Sequence, residues 1–486
     1  MMSVVPVDPP GQIDITHSAT LLASVRQAAD LSQYTQAQLS QTFTWAVGYT
    51  AGQSPAQMAA SIGATFVSPV NGLANSAIFA FPASVNATSA ASKLAGLAPT
   101  FDFPLVPIEY TTDSFTPAGS LFPEEWQLQN TGQTGGTVGA DANVLPAWSA
   151  GALGQGVVIG VIDSGVYGAH PDLAPNYRAD LSYNFLESTS DATPPAPLGP
   201  EDNHGTNVAG VAAASGLTSD GTVGVAPEAK IAGIRAIGGP ITSQTLAQAL
   251  ELHNQQIDVY NNSWGPVTAN FGIASIEDPL LLAAMQDGAQ HGRNGLGNVY
   301  VFAAGNGLGA QSDVNYAGQA NSRFAIAVTG VDDFGKQTTY GVPGAAVLVA
   351  APTGHDYQGA PDERGIPTTD VIDATDANGL PTLAPSYLTS DANGFNGTSS
   401  AAPVVSGVVA LMLSANPKLG YRDIQMILAE TATENDPTDP GWSGNTASYT
   451  NDGVTFTPFH INNKYGFGTV NAAAAVALAK EWSPLP

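Results

Sequence analysis

Six short, almost unbroken apolar runs, at residues 157–162, 230–237, 257–260, 299–303, 324–331 and 347–351, constrain this chain more than any other feature. A strand with one wet face alternates apolar and polar residues, whereas a run apolar at nearly every position is dry on both faces. Helical segments lie between several of the runs, as at residues 243–255 and 279–291, and more follow at 399–414, 421–431 and 471–481. Doubly buried strands alternating with helices predict an α/β domain, its parallel sheet flanked by helices on both faces. A length of 486 residues and a hydrophobic content of 43% permit such a core. Residues 353–394, rich in Asp, Gly, Pro and Thr, break the pattern as an insertion expected to be looped.

Upstream the texture changes. Residues 1–34 form a polar, Pro-containing lead with weak helical character at 21–31. Residues 43–110 alternate short strands and helices (43–49, 55–62, 77–81 and 89–97, then 105–110), which suits a small α+β module. A Thr/Ser/Pro/Gly-rich link at 111–119 reads as exposed, cleavable chain. The expected organisation is therefore a lead at 1–34, a small module at 35–115 and a large domain at 116–486.

Charge and composition remove several functions. Thirteen Lys+Arg against 40 Asp+Glu give a net charge of −27, which repels phosphate backbones and anionic lipid, so neither nucleic acid nor membrane is an expected partner. The absence of cysteine excludes thiol catalysis, disulfides and Cys-based zinc sites. The N-terminus lacks both a basic segment and a continuous apolar segment, so it does not read as a conventional signal peptide.

Three short motifs carry chemistry. The first apolar run ends in Asp163-Ser164-Gly165, which places a carboxylate at the carboxyl end of a buried parallel strand, the edge where α/β sheets build their sites. Alone, it could be a strand-ending turn. His204 opens a helix of small residues, His204-Gly205-Thr206-Asn207-Val208-Ala209-Gly210, and an imidazole is the natural general base near neutrality. Asn396-Gly397-Thr398-Ser399 is a turn running into an apolar helix, so a hydroxyl projects where helix N–H groups favour negative charge. Alone, that serine could be a helix cap.

Together and in this order, Asp-Ser-Gly, His-Gly-Thr-x-x-Ala-Gly and Gly-Thr-Ser-x-x-x-Pro resemble the signature of the subtilisin superfamily. Further segments resemble its kexin/furin branch, among them Phe122-Pro123-Glu124-Glu125-Trp126-Gln127-Leu128, residues 258–266 and residues 298–307. The resemblance runs from about residue 122 to 481. It implies a subtilisin-like fold and a serine endopeptidase in which Ser399 attacks, His204 moves the proton and Asp163 orients the imidazole. It also implies that Asn306 receives the oxyanion, and that Ser263, Trp264, Gly265, Ala304 and Ala317 bind substrate. The small module takes the place of a pro-region that inhibits intramolecularly. Polypeptides are the implied substrates, with a monomeric protein acting outside the cell.

Two departures bear on specificity and metal. Where that branch carries acidic residues for a basic P1 side chain, this chain has residues 267–270 (Val-Thr-Ala-Asn) and Ala317. No Lys or Arg occurs between Lys93 and Arg178, so self-processing near residues 110–121 requires a non-basic P1 residue. Calcium is the implied cofactor, with Asp172 and Asp220 as ligands, although the usual upstream Asp is replaced near Gly119. The accessory β-sandwich of the branch is not expected, since the chain stops soon after Glu481. Two other readings remain at this point. A catalytically silent relative would bind without cutting, and an α/β-hydrolase would order its residues Ser, acid, His with a Gly-x-Ser-x-Gly elbow.

Overall fold

The computed structural model describes residues 25–485 except 27, 35, 71–72, 107–114, 266–277, 356–363, 392–393, 445–449, 452–453 and 456–458. The chain forms two compact units, Met1–Thr111 and Thr112–Pro486. In the first, strands β1 (Thr44–Gly48), β2 (Thr65–Pro69), β3 (Ser76–Ala80) and β4 (Phe101–Pro104) make an antiparallel sheet of order β2-β3-β1-β4. Helices α1 (Pro55–Ser61) and α2 (Ala87–Ala95) follow β1 and β3, each started by a side-chain cap, Ser54 and Asn86. Trp45, Val47, Phe79 and Leu94 fill the small core. The pattern of β2 is too wet to be read as a strand in the sequence, because it lies at the sheet edge with its residues exposed or half-buried. The lead and the segment joining the units fall largely outside the described residues.

In the second unit all six dry runs form strands, and a short two-residue strand, Tyr183–Asn184, joins them at the sheet edge. They are β5 (Val158–Asp163), β6 (Tyr183–Asn184), β7 (Lys230–Arg235), β8 (Val259–Asn262), β9 (Val299–Ala303), β10 (Ala325–Val331) and β11 (Val347–Pro352). They pair in parallel in the order β11-β10-β9-β8-β5-β7-β6. The two-residue period of a strand divides their side chains between two cores. Ile159, Val161, Val299 and Val301 face a core shared with α3 (His204–Ala213), α6 (Thr398–Ala415), α7 (Tyr421–Thr431) and α8 (Ala472–Glu481). Val158, Ile162, Tyr300 and Phe302 face the core under α4 (Ser243–Glu251) and α5 (Pro279–His291).

Helix α6 is buried along nearly its whole length. Among the described residues it is the one helix long and apolar enough to cross a membrane, and it lies mostly inside the protein. It forms the centre of the helical layer on its face of the sheet, which accounts for its apolar character all round.

The insertion is not a loop. Strands β12 (Thr368–Thr375) and β13 (Pro381–Leu388) form an antiparallel hairpin, closed where Asp376 Oδ1 accepts the N–H groups of Asn378 and Leu380. The Thr368 and Thr369 hydroxyls donate to the Asn207 and Thr206 carbonyls of α3, both at 2.8 Å. A side chain at Gly210 would collide with both hydroxyls, so the small-residue face of α3 is what admits the hairpin. Composition suggested a loop because tertiary hydrogen bonds, and not an apolar pattern, hold these strands.

Candidate active site

The carboxyl edge of the sheet gathers the predicted residues. Asp163 is the last residue of β5 and only 2% exposed. Its Oδ1 accepts the Ser164 N–H at 2.7 Å and faces His204 Nδ1 at 2.8 Å. The first turn of α3 reaches this close because residue 205 is glycine: a Cβ there would collide with the Gly165 carbonyl. Phe395 stacks edge-on to the imidazole, with ring centroids 5.3 Å apart. Burial, the largest influence on His204, pulls its pKa down, but the neighbouring Asp163 carboxylate and its hydrogen bond outweigh this and leave it raised.

Ser399 is the second residue of α6 and half-buried. Pro403, four residues on, has no N–H to give to the Ser399 carbonyl, which is thereby left without its helical partner. The Ser263 hydroxyl supplies the missing donor at 2.9 Å, while the Ser399 hydroxyl donates to the Ser263 carbonyl at 3.1 Å. This reciprocal pair ties the helix tip to the end of β8. It also occupies the Ser399 hydroxyl, so the Asp163–His204 half of the expected relay is formed and the His204–Ser399 hydrogen bond is not. A hydroxyl turns about a single torsion, and links of this kind commonly tighten only with substrate in place.

Asn306 follows β9, and its Oδ1 accepts both the N–H and the hydroxyl of Thr398, at 2.8 and 2.9 Å. Because a backbone N–H can only donate, the amide orientation is fixed and Nδ2 remains as the donor beside the Ser399 turn. Thr398 was not singled out in the sequence, where it reads as part of a cap; its role is to aim the amide. The expected consequence is specific: Asn306→Ala lowers kcat by about 10²–10³ with KM little changed, as steady-state kinetics will show.

Ser263, Trp264, Gly265, Ala304 and Ala317 all line one cavity of about 220 Å³ that opens at Ser399 and Asn306. Phe302, Gln319 and Ala320 also line it, and no described lining residue is charged. Residues 267–270, expected beside this pocket, lie outside the described residues.

The residues expected to hold calcium do not make a cage. Asp172 is fully buried, with one oxygen accepting the Thr218 hydroxyl and the other the Thr222 N–H at 3.1 Å. Asp220 is exposed and bonded to Ser219. A side chain at Gly119, where an upstream carboxylate would stand, would collide with the Gly221 carbonyl. The acid buried in this corner is Glu125, whose burial pushes its carboxyl up to about 8 against the pull of hydrogen bonds from Thr222 and Val223. The oxygens thus face protein donors and not a shared centre, so Asp172 and Asp220 do not fit the calcium role.

A seven-stranded parallel sheet with this carboxylate–imidazole pair at its carboxyl edge defines the subtilisin-like class of fold. The Subtilase family profile matches residues 154–468, and the chain belongs to that family. Similar known proteins include the PC3-like endoprotease variant B of Hydra vulgaris, 35% identical over 372 residues that make up 76% of this chain and 48% of that protein. Neuroendocrine convertase 2 of Mus musculus is 37% identical over 372 residues, 75% of this chain and 53% of that protein. One is named an endoprotease and the other a convertase, in line with the kexin/furin resemblance of the motifs. The chain spans about half the length of these relatives. A solved serine protease of Aeromonas sobria, in complex with a chaperone, superposes with a TM-score of 0.63 at 26% identity, covering 76% of this chain and 68% of that one.

Proposed function

We propose that this chain is a serine endopeptidase that cleaves peptide bonds through an acyl-enzyme. The observation that carries the proposal is the 2.8 Å Asp163–His204 pair at a sheet edge where Ser399 opens a substrate-sized cavity. In the proposed reaction Ser399 Oγ attacks the scissile carbonyl carbon while its proton passes to His204 Nε2. The C=O electron pair moves to oxygen, which meets Asn306 Nδ2 and the Ser399 N–H. Collapse expels the amine with the proton from His204, leaving an ester on Ser399. Water then enters by the same route, returns the hydroxyl and releases the acid. No step passes through calcium. A fluorophosphonate probe tests the proposal: one label per wild-type chain and none on Ser399→Ala is the expected result. An unlabelled wild type would point instead to a silent binding protein.

The cavity supports a finer reading of specificity. An Arg or Lys side chain buried there would find no counter-charge among the described walls, and a buried unpaired cation is costly. Cleavage is therefore expected after apolar or small uncharged residues. The first unit is proposed as the pro-region, released by self-cleavage in a stretch with no Lys or Arg between Lys93 and Arg178. A peptide library cut only after Arg or Lys would refute this specificity while leaving the serine chemistry intact. As a self-processed enzyme with a pro-region, the protein is expected to act outside the cell on polypeptides, as a monomer.

A further inference from the structure

Three ligand-type side chains meet outside the cavity at Ser399. Asp332 and Asp333 occupy the turn after β10, and His355 lies just beyond β11. One nitrogen of the imidazole and one oxygen of each carboxyl lie within 4.8 Å of one another, the one such grouping found among the described residues. Both carboxyls are buried, Asp332 at 4% exposure and Asp333 at 1%.

Their hydrogen bonds do not account for all of their polar atoms. Asp332 Oδ1 is used by the N–H groups of Phe334 and Lys336, at 3.0 and 2.8 Å. Its Oδ2 approaches His355 Nδ1 at 3.1 Å, without the alignment of a hydrogen bond, and Nδ1 is buried with no other acceptor or donor. Asp333 Oδ2 accepts the Thr134 hydroxyl at 2.6 Å, but Oδ1 is buried with no donor at all. Buried polar atoms left unpaired on adjoining ligand-type residues call for a bound species.

The donors choose its class. Calcium and magnesium take oxygen ligands, whereas an imidazole with two carboxylates suits zinc and its first-row neighbours. We propose that Asp332, Asp333 and His355 form a site for a divalent ion of the zinc class. The Thr134 bond to Asp333 and the two N–H groups on Asp332 hold the carboxyls as outer partners hold metal ligands. The ion clamps the β10–β11 turn to the segment leaving β11. That segment supports the nucleophile turn, since the Thr353 hydroxyl donates to the Gly397 carbonyl at 2.8 Å. Tyr340 adds a second link, donating to the Gly354 carbonyl at 2.6 Å and accepting the Gly397 N–H at 3.2 Å.

Zinc chloride titrated into the full chain carrying Ser399→Ala, which prevents self-digestion, tests the site by calorimetry and thermal unfolding. One zinc per chain and a raised melting temperature are expected, with affinity weakened about tenfold or more in His355→Gln and in Asp333→Asn. Asn keeps an acceptor for Thr134, and circular dichroism without zinc checks that both variants fold. Zinc held equally tightly by the variants, or no saturable binding by the parent, overturns the assignment. The second of these outcomes would leave His355 and Asp332 as a plain ion pair.

Discussion

Ser399→Ala is expected to lose about 10⁶-fold in kcat on a peptide substrate while KM changes little, because the hydroxyl acts only where covalent chemistry occurs. The fold should tolerate the change. Ser399 Oγ makes one hydrogen bond, to the Ser263 carbonyl, in a half-buried position, and such a bond contributes about 0.5–1.5 kcal/mol. The other half of the pair, Ser263 Oγ to the Ser399 carbonyl, survives because it uses the backbone. The helix tip therefore stays anchored, and Asn306, held by Thr398, stays aimed. What remains is a binding site with an oxyanion donor and no nucleophile. The variant should also accumulate uncleaved, so mass spectrometry of the expressed chain reads the same loss independently of any substrate. Ordinary turnover by a folded Ser399→Ala protein would remove this serine from the chemistry altogether.

Much of this arrangement was legible in the sequence, for a physical reason. Strands buried on both faces announce themselves as apolar runs, and the observed β9 coincides with the expected 299–303, as α5 does with 279–291 and α7 with 421–431. Site residues at strand ends and helix starts are legible too, since the motif and the structural boundary coincide at Asp163 and His204. Features held by polar contacts were not legible. The hairpin of β12 and β13 depends on hydroxyl-to-carbonyl bonds with α3, which no periodicity encodes. The coupling of Pro403 to Ser263 through the Ser399 carbonyl joins residues 140 positions apart (403 − 263). The zinc-class site was missed for the same reason: its ligands come from two strand ends, with no motif spacing between them.

Asp163→Asn separates the orienting carboxylate from the rest of the relay, and it is expected to change both the position of the pH profile and its height. In the wild type, His204 must be neutral to accept the Ser399 proton, so activity is lost as pH falls through the His204 pKa. The Asp163 carboxylate has raised that pKa against the effect of burial. The acidic limb of kcat/KM therefore lies above the ordinary histidine value of about 6.5. An amide in place of the carboxylate removes the charge that favoured imidazolium and leaves the burial that opposes it. The limb must then move to lower pH. Meanwhile the rate at its plateau falls by about 10⁴, because an amide at the Asp163 position can present its NH₂ to Nδ1 and hold the wrong tautomer. Asn keeps the size of Asp, but Oδ1 serves both the Ser164 N–H and His204 Nδ1, so an amide that turns its NH₂ to Nδ1 also gives up the acceptor for the Ser164 N–H. A purely structural role for Asp163 would lower activity without moving the limb. A limb that shifts upward, or stays in place while the rate collapses, would mean that the carboxylate does not set the protonation of His204.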